Sequence, residues 1–582
     1  MMTKKSMRRR TALTVVALLA VMGVFLVKLV DIQVVNAAEL NKKSTNGRSV
    51  TQTIAGVRGD IVDANGVTLA DSVLRWDFSV SPYVANLEKK SELTRDTNAI
   101  GKATGQGGAA VMKIITDSLA GNPKSLYASV VKGVDVTTLN KLNALNIPWL
   151  YPTRQQARTY PDGAVAGNLV GFVGSDGKAQ AGLELAQNAC LSGTNGEQVY
   201  QRGADSVAIP GSTVVTKKAK DGGEVVLTID SDLEWFAQQK LAEAVKQLHG
   251  NWGIVTVMEA KTGKLKAVAE YPSVDPNNVG ATQADDRGSR AFTSPFEPGS
   301  TFKALTAATL LDQKLATPAS RVLAPFHFES GQGASLGDAF YHDPWRLTLT
   351  GVLMMSSNTG ISILGRNLPL KTHYDYLKKF GIGTPTAVDF PAESGGILHP
   401  YQEWGDQTKY ATLFGQGVSA TAIQTVSAYQ ALANNGVRLP VQLVEGCRQA
   451  DGTMTEKPST KGTQVVSKAS ANTTVNMMES VVTGGELSDK LTIPGYRVAA
   501  KTGTAQQSNG EGGYKSTYIV SVTGIAPADN PQYVVSVNIA NPTTITTSAA
   551  AAPLFKTIMS QVLKAYRVKP STTPSPNLPA YY

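Results

Sequence analysis

Glu297-Pro298-Gly299-Ser300-Thr301-Phe302-Lys303 runs into residues 304–311, a segment of good helix formers. The Pro-Gly pair closes a loop and puts Ser300 at a helix start. There, backbone N–H groups and the macrodipole favour negative charge. Lys303 is three residues on, hence on the same helical face. A desolvated lysine near another cation can lose its proton and accept one from a serine hydroxyl. Alone the spacing is weak: Ser129-Val130-Val131-Lys132 shares it, and a Ser cap beside a surface Lys explains either.

Two further pieces lie downstream. Ser356-Ser357-Asn358 follows the apolar residues 352–355 and precedes Thr359-Gly360. Lys501-Thr502-Gly503-Thr504 follows Tyr496-Arg497-Val498-Ala499-Ala500 and reads as part of a strand. Each has a look-alike, Ser470-Ala471-Asn472 and Lys261-Thr262-Gly263, the second in a hairpin turn. Order and context separate the sets. Ser300/Lys303, Ser356/Asn358 and Lys501-Thr502-Gly503 occur in the chain order of acyl-serine enzymes built on Ser-x-x-Lys, Ser-x-Asn and Lys-Thr-Gly. Such a strand lines one side of a cleft, with the Ser300 helix and the Ser356 loop on the others. Residues 415–420 and 105–110 both fit a dinucleotide fingerprint, but neither clearly follows a parallel strand in a βαβ unit. No P-loop or Ser-His-Asp set is evident.

The rest of the chain sets the frame. With 582 residues, 42% hydrophobic and 17% charged, it is globular and long enough for two or more domains. Fifty-four Gly and 28 Pro imply many turns and an α+β or β-rich build. Cys190 and Cys447 are far apart in sequence and are expected to stay unpaired. His249, His327, His342, His373 and His399 are scattered, so no metal and no cofactor is expected. The net charge of +10 could suggest nucleic acid, but Lys4, Lys5, Arg8, Arg9 and Arg10 cluster at one end. Residues 12–27, extended past Lys28 by Leu29-Val30, then approach the length that spans a bilayer. Basic residues stay cytoplasmic, so the remainder is expected outside. A cleaved signal peptide ending near Val35-Asn36-Ala37 is the competing reading, and it exports the same residues. Asn65-Gly66 between alternating apolar residues signals a hairpin. Residues 224–229 read as a strand, 233–248 as an amphipathic helix, and 253–258 with 265–269 as a second hairpin.

The motif context resembles class B penicillin-binding proteins. Phe296–Lys303 looks like that family's nucleophile motif, as does 497–506 for its Lys-Thr-Gly strand. Residues 58–70, Arg158-Thr159-Tyr160-Pro161, Gly182-Leu183-Glu184 and Leu191-Ser192-Gly193 resemble its non-catalytic pedestal. The resemblance runs from the anchor to about residue 565. Ala64 stands where Arg is common, and Ala500 where Gly usually precedes Lys-Thr-Gly, which puts a methyl beside the active strand. The block from Phe380-Gly381-Ile382-Gly383 to Gly415-Gln416-Gly417, with Trp404 between, resembles the septal subgroup.

The resemblance implies an α+β fold: an antiparallel sheet flanked by helices on a β-rich pedestal, with one N-terminal transmembrane helix. The expected divisions are a cytoplasmic tail (1–10), the anchor (11–30), a dimerisation-type pedestal (31–220), a transpeptidase domain (221–568) and a disordered tail (569–582). It implies that Ser300 attacks the penultimate D-Ala carbonyl of a stem peptide, with Lys303 as base. Ser356 would relay protons, Asn358 would orient the donor backbone and Lys501 would supply charge. Thr502, Gly503 and Thr504 would bind substrate, the two threonines holding its carboxylate. Backbone N–H groups of Ser300 and Thr504 would form an oxyanion hole, worth about 3–4 kcal/mol per donor in such sites. β-Lactams would be covalent inhibitors. A membrane glycan polymerase and other division proteins would be partners, because no polymerase-like domain precedes residue 220; nucleic acid would not. The place of action would be the bacterial cytoplasmic membrane at the septum, N-terminus inside. An elongation-type transpeptidase, a D-Ala-D-Ala carboxypeptidase or β-lactamase, and an inactive division scaffold are the rivals. The anchor and pedestal argue against a secreted lactamase, and the intact Ser300, Lys303 and Lys501 against an idle scaffold.

Overall fold

A computed structural model describes residues 4–202, 209–508 and 513–582. Residues 1–3 of the expected cytoplasmic tail, 203–208 of the expected pedestal and 509–512 of the expected catalytic domain lie outside the described residues. The chain forms two compact units, one from Met1–Val57 with Ser192–Gly222, the other from Arg58–Leu191 with Gly223–Tyr582.

The first unit begins with the helix Lys4–Val30, which has no buried residue. Its 27 residues reach about 40 Å at 1.5 Å per residue, enough to span a bilayer's hydrocarbon. Among the described residues it is the one helix long and apolar enough to cross a membrane. The unit also holds a three-stranded sheet in the order Ser49–Ile54, Gly196–Gln201, Val214–Lys217.

The second unit carries two larger sheets. The first has seven strands, and the hairpin Ile61–Val62/Thr68–Val80 sits in it, with Gly66 at φ +85° as the turn demands. Asp63 fixes this hairpin. Its Oδ1 accepts from the N–H groups of Asn65 and Val67, and its Oδ2 from the Ser231 N–H and hydroxyl. Behind the hairpin the motif residues converge on one buried carboxylate: Glu184 takes Arg58 on one oxygen and Arg158 on the other, each at 2.6 Å. A buried carboxylate without both partners would be an uncompensated charge, which is why these separated motifs belong together.

The second sheet supports the cleft. Its strands are β1 (Trp252–Glu259), β2 (Leu265–Tyr271), β3 (Ala499–Ser508), β4 (Tyr514–Ala526) and β5 (Tyr533–Ala540). They run in the order β2-β1-β5-β4-β3, every neighbour antiparallel, leaving β3 at an edge. All eight residues of β5 are buried, because both faces are covered. The helices used below are α1 (Ser231–Gln247), α2 (Lys303–Asp312), α3 (Leu349–Met355), α4 (Asn358–Gly365) and α5 (Ala552–Ala565). Ala237, Leu241 and Val245 of α1 join Phe555, Ile558 and Val562 of α5 over one face of the sheet. The Ala500 methyl lies in this layer with Val520, Val522 and Phe555, so it fills core rather than the cleft.

Two expectations are corrected. Cys190 and Cys447 form a disulfide, with Cα atoms 5.9 Å apart across a sequence separation of 257. Separation along the chain does not limit approach in space: Val444–Arg448 pairs with Glu224–Leu227, and the Gly223 N–H bonds to the Cys190 carbonyl. A Cβ on Gly223 would lie 2.6 Å from one sulfur and 3.1 Å from the other, so only glycine fits beside the disulfide there. Residues 569–582 are not a disordered tail. Ser571 bonds to Arg497 and Asp529, and Thr348 donates to the carbonyls of Pro579 and Ala580. Composition registers the Pro/Ser/Thr content but not these acceptors, which are backbone and side-chain groups of distant segments.

Candidate active site

Ser300 sits in the tight turn Gly299–Phe302 that feeds α2. Gly299 has φ +56°, and a Cβ there would come within 2.9 Å of Ala505 Cβ on β3. The turn is also held from behind, since Gly299 N–H donates to the Gly415 carbonyl at 2.9 Å. The stretch Gly415-Gln416-Gly417 thus backs the serine turn. Residues 105–107 join two helices, Lys90–Thr104 and Gly108–Gly121.

Residues 303–310 of α2 are all buried, Lys303 included. Lys303 Nζ lies 2.8 Å from Ser300 Oγ, 2.6 Å from the Ser356 carbonyl and 2.6 Å from Asn358 Oδ1. The Asn358 amide is oriented by its Nδ2, which donates to the Gly337 carbonyl at 2.9 Å. The Ser356 carbonyl and Asn358 Oδ1 can only accept. A neutral amine therefore spends its two hydrogens on them and turns its lone pair to the Ser300 hydroxyl. Burial pushes the Lys303 pKa down to about 7, with the Asp338 carboxylate opposing the shift.

Ser356 joins α3 to α4 in the left-handed region, φ +58°. That conformation is costly for a non-glycine residue, of order 1–2 kcal/mol, and is held by its surroundings. Here it turns the Ser356 carbonyl to Lys303 and the hydroxyl to Lys501, whose Nζ is 2.9 Å away. Lys501 is fully buried on β3, and burial, then the Lys303 charge, hold its pKa well below the usual lysine value. Gly503 must be glycine, because a Cβ would meet Ser521 Oγ at 2.4 Å and Thr301 Cγ2 at 3.0 Å.

Ser300, Ser356, Asn358, Thr502, Gly503 and Thr504 line one cleft of about 640 Å³. The two lysines lie beneath it and reach it through Ser300 and Ser356. Phe340, Trp345, Met354 and Met355 give the cleft an apolar wall. All eight residues expected from sequence are thus gathered. Among the described residues, no group of His, Cys, Asp and Glu is arranged to hold a metal ion.

Two participants escaped the sequence reading. Asp338 accepts from the Ser357 hydroxyl, from the N–H groups of Asn358 and Thr359, and faces His342 Nε2 at 3.0 Å. It anchors the start of α4, and a lone Asp thirty-eight residues after Ser300 carries no spacing signal. Glu297, the first residue of the motif before Ser300, is the second. Its Oε1 accepts from the Gly417 N–H and the Tyr514 hydroxyl, tying the serine turn to two neighbouring segments, and burial raises its pKa.

A serine, two buried lysines and an edge strand around one cleft define the class of active-site serine acyltransferases. The profile of the penicillin binding protein transpeptidase domain matches residues 253–560, and that of the penicillin-binding protein dimerisation domain matches 53–227. Penicillin-binding protein PbpB of Mycobacterium tuberculosis is 34% identical over 593 residues, covering 98% of this chain and 87% of its own. Peptidoglycan D,D-transpeptidase FtsI of Escherichia coli is 28% identical over 570 residues, covering 96% and 92%. The crystal structure of penicillin binding protein 3 from Mycobacterium tuberculosis, complexed with ampicillin, superposes with a TM-score of 0.71 at 30% identity, covering 91% of this chain and all of that one. The chain belongs to the penicillin-binding protein transpeptidase family.

Proposed function

We propose that this protein is a membrane-anchored peptidoglycan D,D-transpeptidase that cross-links stem peptides through an acyl-serine and is acylated by β-lactams. The observation that carries the reading is the buried Lys303 Nζ, 2.8 Å from Ser300 Oγ and 2.6 Å from each of two carbonyl acceptors, so that its neutral form offers its lone pair to the Ser300 hydroxyl. Ser300 attacks the penultimate D-Ala carbonyl, Lys303 takes its proton, and the terminal D-Ala leaves. Ser356, between the two lysines, passes the proton to the leaving amine. The outer edge of β3 can pair with an extended peptide, as exposed strand edges do. Thr502 and Thr504 receive the substrate carboxylate, Lys501 supplies charge and hydrogen bonds from beneath, Asn358 orients the donor, and the N–H groups of Ser300 and Thr504 stabilise the oxyanion. An amine of a second stem peptide then attacks the acyl-enzyme and regenerates Ser300.

The reading extends to the domains and their setting. Residues 31–220 serve as pedestal and 221–568 as the transpeptidase domain. The helix Lys4–Val30 anchors the chain with its basic end in the cytoplasm, a membrane glycan polymerase is the partner, and the septum is the site of action. The septal assignment rests on the block from Phe380 to Gly417. Fluorescent penicillin tests the chemistry. One label per chain, mapping to Ser300, persisting for hours and lost in Ser300→Ala, is the expected result. Labelling that survives in Ser300→Ala, or maps to Ser129 or Ser356, would refute the assignment.

A further inference from the structure

The last residues of the chain touch two of the three catalytic elements. At one end of this stretch, Ser571 Oγ accepts from the Arg497 N–H at 2.9 Å, and Thr573 Oγ1 from the Arg497 guanidinium at 2.7 Å. Arg497 stands two residues before β3, the strand of Lys501. At the other end, Thr348 donates its N–H to the Ala580 carbonyl at 3.0 Å and its hydroxyl to the Pro579 carbonyl at 2.6 Å. Thr348 is the N-cap of α3, and its hydroxyl oxygen also accepts from Gly351 N–H. Tyr581 makes a single antiparallel bridge with Leu347, and its hydroxyl lies 3.2 Å from Met355 Sδ, beside Ser356. The fit is close: a Cβ on Gly351 would stand 1.9 Å from the Ala580 carbonyl oxygen.

The helix pinned in this way ends at Ser356, whose hydroxyl must meet Lys501 at 2.9 Å. We propose that residues 570–582 are a strap that sets the spacing between the Ser356 turn and the Lys501 strand, making Thr348, Pro579 and Ala580 positioning residues for acyl transfer at Ser300. The proposal rests on the transpeptidase reading above. Misplacing one reacting group by about 1 Å can cost about a hundredfold in rate, so a strap remote from Ser300 has leverage on it.

The test measures acylation of the detergent-solubilised full chain by a fluorescent penicillin, separating the pre-covalent dissociation constant from the acylation rate constant. Three variants are compared with the parent: deletion of residues 577–582, Gly351→Ala, and both together. The deletion removes the strap, and Gly351→Ala displaces it while keeping every residue. Each single change is expected to lower the rate constant by about tenfold or more while leaving the dissociation constant unchanged. The double variant is expected to be no slower than the deletion, because without the strap the added methyl meets nothing of it. A general loss of stability would not produce that non-additivity. Parental rate constants in the deletion and in Gly351→Ala, or losses that multiply in the double variant, would overturn the strap. If the deletion does not fold, a parental rate constant in Gly351→Ala alone overturns it and a slowed one supports it. A parent that takes no label at all would instead overturn the transpeptidase reading.

Discussion

At Lys303, burial works against the charge while two carbonyl acceptors use up the hydrogens of the amine, so the lone pair has one direction left. The pH dependence follows with a definite sign. Below its pKa of about 7 the ammonium has no lone pair for the Ser300 proton; above it the amine is free. Acylation by penicillin is therefore expected to rise as pH increases through about 7 and then level off. Asn358→Asp would set a carboxylate where Oδ1 now stands 2.6 Å from Nζ. An opposite charge that close favours the ammonium, and the midpoint should move upward by about one unit or more. Stopped-flow acylation between pH 5 and 10, as a rough working range for His-to-Lys titrations, reads both; an unmoved midpoint would mean that another group is the base. Sequence exposed Ser300 and Lys303 because three residues on a helix make a face. It could not expose Asp338, whose work is done on the N–H groups of Asn358 and Thr359 and leaves no trace in side-chain spacing.

Identical tripeptides take different roles according to the element that carries them. Lys501-Thr502-Gly503 lies on β3 against the serine turn, whereas Lys261-Thr262-Gly263 closes the β1–β2 turn, with Gly263 at φ +75° and Lys261 Nζ 3.3 Å from the Ala433 carbonyl. Lys501→Ala should slow acylation at least about tenfold, roughly 1.4 kcal/mol, and Lys261→Ala should not. Equal effects on the rate would break the link between strand and chemistry. The other look-alikes fail for equally local reasons. Ser129 and Lys132 are exposed on the irregular strand Ala128–Val134, away from any helix start. Ser470 lies in the first turn of Lys468–Thr483 and bonds to Asp312. Hairpins, the amphipathic α1 and β3 were legible because period and turn residues are local. The left-handed Ser356 was not, since its strain is held by Lys303, fifty-three residues away.

Across the whole molecule, long-range closure was the least legible level. The pedestal motifs were recognisable as strings, but their meeting at Glu184 and the pairing of Cys190 with Cys447 depend on the sheet that brings Val444–Arg448 beside Glu224–Leu227. Replacing both cysteines by alanine is expected to lower unfolding stability by about 2–4 kcal/mol, as for loops of this kind. Calorimetry against the parent reads the loss, and labelling at 25 °C, a temperature well below typical melting points of about 45–65 °C, should persist. Peptide mapping without reductant should recover the Cys190 and Cys447 peptides joined; two free thiols would remove the bond. The packing of Tyr581 and Tyr582 has a practical consequence. A fluorescent protein or affinity tag fused after residue 582 is placed against the segment that holds α3, so such a fusion is expected to be acylated more slowly than the parent if the strap sets the Ser356 turn. Tags placed ahead of Lys4 avoid the interference.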